Sequence, residues 1–200
     1  NIDVEKRTFD MSLATETPVL AFDYRRWKMV DQILVMSKDA ADLTRITGSG
    51  VGFFETHPST VAPGKSNRIG IIEKVRFADK KCIASVRMST RPGDDRLEQI
   101  WHDIRDGILG SVSIGFRPQE ATIKEAPEGS SKRDVMTITK WELMEGSLAD
   151  VSAAPDTAVI RSTTAPPDFK MPENIVEVRA QTITSTPTPE PTPTPEPAPV

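Results

Sequence analysis

Gly110-Ser111-Val112-Ser113-Ile114-Gly115-Phe116 places two serines and a glycine on one phase of an apolar alternation. In an extended strand Val112, Ile114 and Phe116 point one way, and Ser111, Ser113 and Gly115 the other. The second set makes a narrow, small-residue surface that another backbone could approach. A serine hydroxyl is a weak nucleophile until a neighbouring base takes its proton. Histidine is the usual base, because it titrates near neutral pH. The chain has 2 histidines, so the choice is nearly forced. His57 follows Phe53-Phe54-Glu55-Thr56 and precedes Pro58, whereas His102 lies beside Asp103, off the apolar stripe of a helical pattern, and reads as a solvated helix residue. A third group should orient the imidazole and stabilise its protonated form. Glu145 shares a strand phase with Trp141 and Leu143, which predicts a partly buried carboxylate in need of a partner. Glu142 reads as the ordinary surface glutamate, and a β-bulge would invert that assignment. His57, Ser113 and Glu145, in that chain order, are the parts of a serine hydrolase. Ser111 competes with Ser113 for the nucleophile's role. Each member also has a plain structural reading, as a strand serine, a loop histidine and a satisfied strand glutamate.

Other chemistries find less support. Gly48, Gly50 and Gly52 lack the lysine and the following helix of a phosphate-cradling loop. Two separated histidines and the lone Cys82 offer no metal-ligand spacing, so neither a metal nor a cofactor is expected. Cys82 itself reads as a small buried hydrophobe. An esterase-type elbow would need glycine at position 111, which is serine. The chain has 200 residues, 37% of them hydrophobic, and a net charge of −4, which suits one domain with a real core plus an appendage. Mild acidity and the absence of a basic block give no reason to expect nucleic acid or a membrane as partner. No apolar run is long enough to span a bilayer. The chain begins at Asn1 rather than Met and reads as a fragment or a processed product.

The elements that would position these residues follow from patterning. Strands are expected at Val19–Phe22 and Gln32–Met36, then a capped helical turn from Ser37 to Leu43, with Ser37 as its N-cap, and a glycine-marked loop into Phe53. Ile69–Phe77 and Cys82–Met88 form a hairpin about Asp79-Lys80. Asp94–Ile108 is the best helix, with Leu97, Ile100, Trp101, Ile104 and Ile108 at helical spacing and Gly107 and Gly110 at its end. The serine strand covers 111–118, an exposed connection 119–133, and a long strand 134–148. Many strands with one main helix predict a mixed, β-dominated barrel or sandwich. Three stretches divide the chain: a domain over 1–161, a partly ordered connector over 162–180, and a disordered Thr/Pro/Glu-rich tail or linker over 181–200, where Thr-Pro and Glu-Pro repeats supply no core-forming residue.

Over residues 5–161 the chain resembles the prohead (procapsid maturation) serine proteases of tailed bacteriophages. The resemblance rests on Asp42-Leu43-Thr44-Arg45, Phe53-Phe54-Glu55-Thr56-His57, Ile69-Gly70-Ile71-Ile72-Glu73, the segment from Trp101 to Ile108, Ser111–Phe116, and Trp141–Leu148 with Ala154-Pro155-Asp156. It implies a closed or nearly closed β-barrel with a few surrounding helices, similar to the herpesvirus capsid maturation protease. It implies Ser113 as nucleophile and His57 as general base, with Glu145 at the position of the third member, which is histidine in the herpesvirus relatives. Where the family often has Asp or Ser after the histidine, Pro58 stands here, and Ala149, Asp150 and Ser152 replace its usual Val and Pro. The resemblance further implies a serine endopeptidase, possible as a homodimer, inside a viral procapsid assembled in the bacterial host cytoplasm. Its substrates would be the phage scaffold or the major capsid protein, and itself. The rival reading is a catalytically inactive capsid-assembly or scaffold-binding module of the same fold, with 162–200 as its tether.

Overall fold

A computed structural model describes residues 2–58 and 66–160. The chain divides into a unit Asn1–Thr163 and a unit Thr164–Val200. The expected connector and tail lie outside the described residues.

The strands are β1 (Ile2–Asp3), β2 (Thr8–Thr15), β3 (Val19–Asp23), β4 (Lys28–Leu34), β5 (Ala41–Asp42), β6 (Val51–Phe54), β7 (Arg68–Ala78), β8 (Lys81–Met88), β9 (Val112–Lys124), β10 (Val135–Leu148) and β11 (Ala158–Val159). Two helices join them among the described residues: the short α1 (Thr44–Thr47) and α2 (Asp95–Asp106). One sheet runs β1-β2-β8-β7-β6-β10-β4-β3, with β9 on the remaining edge of β10. The expected β-domination holds, but the sheet is an open half-barrel and not a closed barrel. The reason lies at the seam. Among the described residues no ladder joins β2 to β9; the two-residue β11 pairs with β2, and an isolated bridge links Ser111 to Ala158.

The core is drawn from one phase of each central strand. Phe9, Met11 and Leu13 of β2, Phe53 of β6, Ile72 of β7, Val86 and Met88 of β8, and Trp141 and Leu143 of β10 are buried together. β2 is absent from the predicted elements, although Phe9, Met11 and Leu13 alternate as a half-buried strand should. The β7–β8 hairpin turns at Asp79 and Lys80 as expected, both with positive φ (50° and 58°), the twist a two-residue hairpin favours. The Asp94 side chain accepts the Leu97 N–H at 3.0 Å and caps α2. Gly107, at φ 88°, ends the helix in the left-handed region. Ile108 therefore falls beyond the helix and is exposed, a correction to the predicted stripe; Leu97, Ile100, Trp101 and Ile104 bury as expected. The predicted helical turn at 37–43 forms only in its first half. Ser37 Oγ accepts the Ala40 N–H at 3.2 Å, and the chain then enters β5.

β9 extends through Lys124, where an exposed connection is expected. Residues 117–124 are exposed on both phases, so no burial pattern marks them as strand. They are held by the ladder to β10, which pairs Thr122 with Thr137 and Ile123 with Met136. Pro118 is tolerated because β9 presents a free edge there.

Candidate active site

Two neighbouring strands carry Ser113 and Glu145, and His57 follows the end of a third. β10 runs between β6 and β9 at its C-terminal end, pairing Glu145 with Gly52 and Ser147 with Phe54 on one side, and Glu145 with Gly115 and Ser147 with Ser113 on the other. His57 lies three positions beyond Phe54, where the chain leaves β6. Cross-strand neighbours stand about 5 Å apart, so this register alone gathers Ser113, Glu145 and the approach to His57.

His57 Nε2 lies 3.1 Å from Ser113 Oγ, and His57 Nδ1 lies 2.6 Å from Glu145 Oε1. With the ring proton on Nδ1 donated to the carboxylate, Nε2 is left to accept the serine proton. The imidazole thus bridges the hydroxyl and the carboxylate through its two nitrogens. The His57 side chain is 41% exposed and that of Glu145 only 10%, so the imidazole faces the surface with the carboxylate behind it.

A register irregularity puts Glu145 there. Leu143 pairs with Phe116, and the next pair is Glu145 with Gly115, so Met144 is an extra residue on β10. This bulge moves Glu145 off the phase of Trp141 and Leu143 and onto that of Ser113. The predicted phase of Glu145 is corrected accordingly, whereas its predicted burial holds. Glu142 is also corrected. It is nearly as buried as Glu145 and is paired with Arg45 Nε at 2.5 Å and Arg117 Nη1 at 3.0 Å.

Gly115 proves necessary in a way the pattern does not reveal. A Cβ at this position would lie 2.3 Å from Glu145 Oε1 and 2.6 Å from its Cγ. The vacancy is filled by the glutamate side chain, not by an approaching backbone. Ser147, to which the patterning assigns no role, places its Oγ 3.3 Å from His57 Nδ1. Its signal was its spacing, two residues after Glu145 on the same strand. Burial pushes the Glu145 carboxyl above its ordinary value; hydrogen bonding and charge from His57, and the Ser147 hydroxyl, act against that rise. Among the described residues no hydrogen-bond partner reaches the buried Glu145 Oε2.

Ser111 lies outside β9, opposite Ala158, and has no hydrogen bond to His57. His102 is exposed on α2. Cys82 is fully buried, and burial pushes its thiol up to about 12. Among the described residues no group of three or more His, Cys, Asp or Glu could hold a metal ion, and no helix is long and apolar enough to cross a membrane.

Residues 84–170 match the model of the caudovirus prohead serine protease family. The matched stretch contains Ser113 and Glu145; His57 precedes it. The chain is also similar to a major capsid protein of Halomonas phage phiHAP-1, with 32% identity over 154 residues, covering 76% of this chain and 23% of that protein. The chain therefore spans less than a quarter of the length of the curated relative it matches. No solved structure matches.

Proposed function

We propose that this protein is a serine endopeptidase of phage procapsid maturation, cutting scaffold or the scaffolding segment of a capsid protein, and itself. The observation that carries the reading is the imidazole of His57, placed between the Ser113 hydroxyl and the Glu145 carboxylate. His57 Nε2 takes the Ser113 proton as Oγ attacks the scissile carbonyl, while Glu145 holds the ring and stabilises its charge. The imidazolium then gives the proton to the leaving amine, and an acyl-serine remains. Water, deprotonated by the same nitrogen, releases the acid and restores the serine. The family match supports a procapsid protease, and the capsid-protein relative supports scaffold or capsid protein as substrate and the procapsid interior as the place of action. Self-association as a homodimer belongs to the same proposal.

The deciding experiment uses a fluorophosphonate probe on the full chain, with the labelled peptide located by mass spectrometry. Ser113 should label. Ser113→Ala and His57→Ala should abolish labelling and any processing of co-expressed scaffold, whereas Ser111→Ala should keep both. Full processing by the Ser113→Ala variant would refute the assignment. One observation favours an inactive capsid-assembly module instead: the similar Halomonas phage protein is named a major capsid protein. An unlabelled but folded chain would decide for that reading.

A further inference from the structure

On the Glu145 side of His57 a surface groove of about 630 Å³ is lined by residues of β6, β7, β9 and β10. Its walls include Arg45, Gly52, Phe54, Arg68 and Gly115. The two arginines differ in kind. Arg45 is neutralised by Glu142. Arg68 is exposed and has no carboxylate partner among the described residues; its guanidinium carbon lies 5.6 Å from the centroid of the Phe54 ring. The Glu145 carboxylate, the other charge in the groove, is engaged by His57.

The backbone is arranged to hold Arg68 in this place. A register shift between Phe53 and Phe54 sets Arg68 directly opposite Phe54. A Cβ on Gly52 would lie 2.4 Å from Phe54 Cε2 and 2.6 Å from Arg68 Nε. The missing side chain is what lets the ring and the guanidinium lie across β6 toward the strand bearing Glu145. A guanidinium held against an aromatic face has lost much of its rotamer freedom and still presents its fork of donors. Past Arg68 the surface continues into a depression of about 340 Å³ bordered by Arg87 and Arg91. Arg87 pairs with Glu73 at 2.6 Å and Arg91 with Asp94 at 3.5 Å, so neither offers the free charge that Arg68 does.

We propose that this groove receives an acidic side chain of the peptide being cut, with Arg68 as its counter-ion. The inference rests on the endopeptidase reading and adds a substrate class to it: segments carrying Glu or Asp close to the scissile bond.

The test is to incubate the full chain with a proteome-derived peptide library and read the cleavage sites by mass spectrometry. Glu and Asp should be enriched at one position near the cut, and the enrichment should weaken at high salt. Arg68→Gln should lower the ratio of kcat/KM for an acidic peptide to that of its Gln analogue by about 10-fold or more, the loss expected for a charge-assisted hydrogen bond. Arg68→Lys should keep part of the preference, and Arg68→Glu should shift it toward basic peptides. Cleavage without acidic enrichment, or with enrichment unchanged in Arg68→Glu, would overturn the proposal and leave the endopeptidase reading intact. If the variants do not fold, the wild-type enrichment and its salt dependence decide. Failure to cut any peptide would sink the endopeptidase reading and this inference with it.

Discussion

Glu145 is held by what its neighbours lack. Gly115 leaves the space its carboxylate fills, so Gly115→Ala should push the carboxylate away from His57 and slow fluorophosphonate labelling about 10-fold or more, since misplacement by ~1 Å can cost as much as 10²-fold. The same substitution in a Glu145→Gln background should cost much less, because the two changes act on one contact. A raised carboxyl also has a thermodynamic signature. Its native state favours the proton, so the stability this group contributes is complete below 4.5, its ordinary value, and is lost as pH rises through the folded pKa. Glu145→Gln should therefore melt no lower than the wild type at neutral pH, while its labelling rate falls roughly 100-fold or more. A variant that lost stability and kept its labelling rate would contradict the orienting role.

At the scale of elements, charged clusters fasten the strands that carry the site. Glu142 joins β10 to α1 through Arg45 and to β9 through Arg117. Glu142→Ala would leave Arg45, partly buried, without its counter-charge, and should cost ~1–3 kcal/mol in chemical denaturation. Asp134, just before β10, is held down to about 2, first by its hydrogen bond from Lys28, then by the Ala126 N–H and the charge of Arg26. Its contribution is present above 3.8, the ordinary value, and is lost as pH falls toward 2. Asp134→Asn should accordingly flatten the acid-unfolding profile between those values. Legibility in the sequence follows the same physics. The β7–β8 hairpin and α2 announce themselves by turn chemistry, capping and apolar spacing. The outer half of β9 does not, because its residues are exposed on both faces and are held by pairing with β10. The bulge at Met144 is invisible for a related reason: an extra residue is defined only against the partner strand. His57 stands out by scarcity, whereas residue type leaves Ser113 in competition with Ser111, and only the family resemblance prefers Ser113. Glu145 is legible as a strand carboxylate in need of a partner, but its facing, the close fit of Gly115 against it and the position of Ser147 emerge only from the β9–β10 register.

For the whole molecule, the unit Asn1–Thr163 holds His57, Ser113 and Glu145 together. A chain ending at Thr163 should label with the fluorophosphonate probe at a rate close to that of the full chain; a loss of more than about 10-fold would place part of the working site beyond that boundary. The order of assembly carries a last consequence. β10 is the strand that lies between β6 and β9, and it is the last long strand of the described chain. A growing polypeptide that has already made His57 and Ser113 still lacks the piece that seats them side by side. Ribosome-stalled chains released short of Glu145 should therefore stay inert toward the fluorophosphonate probe, whereas chains that extend past Leu148 should label.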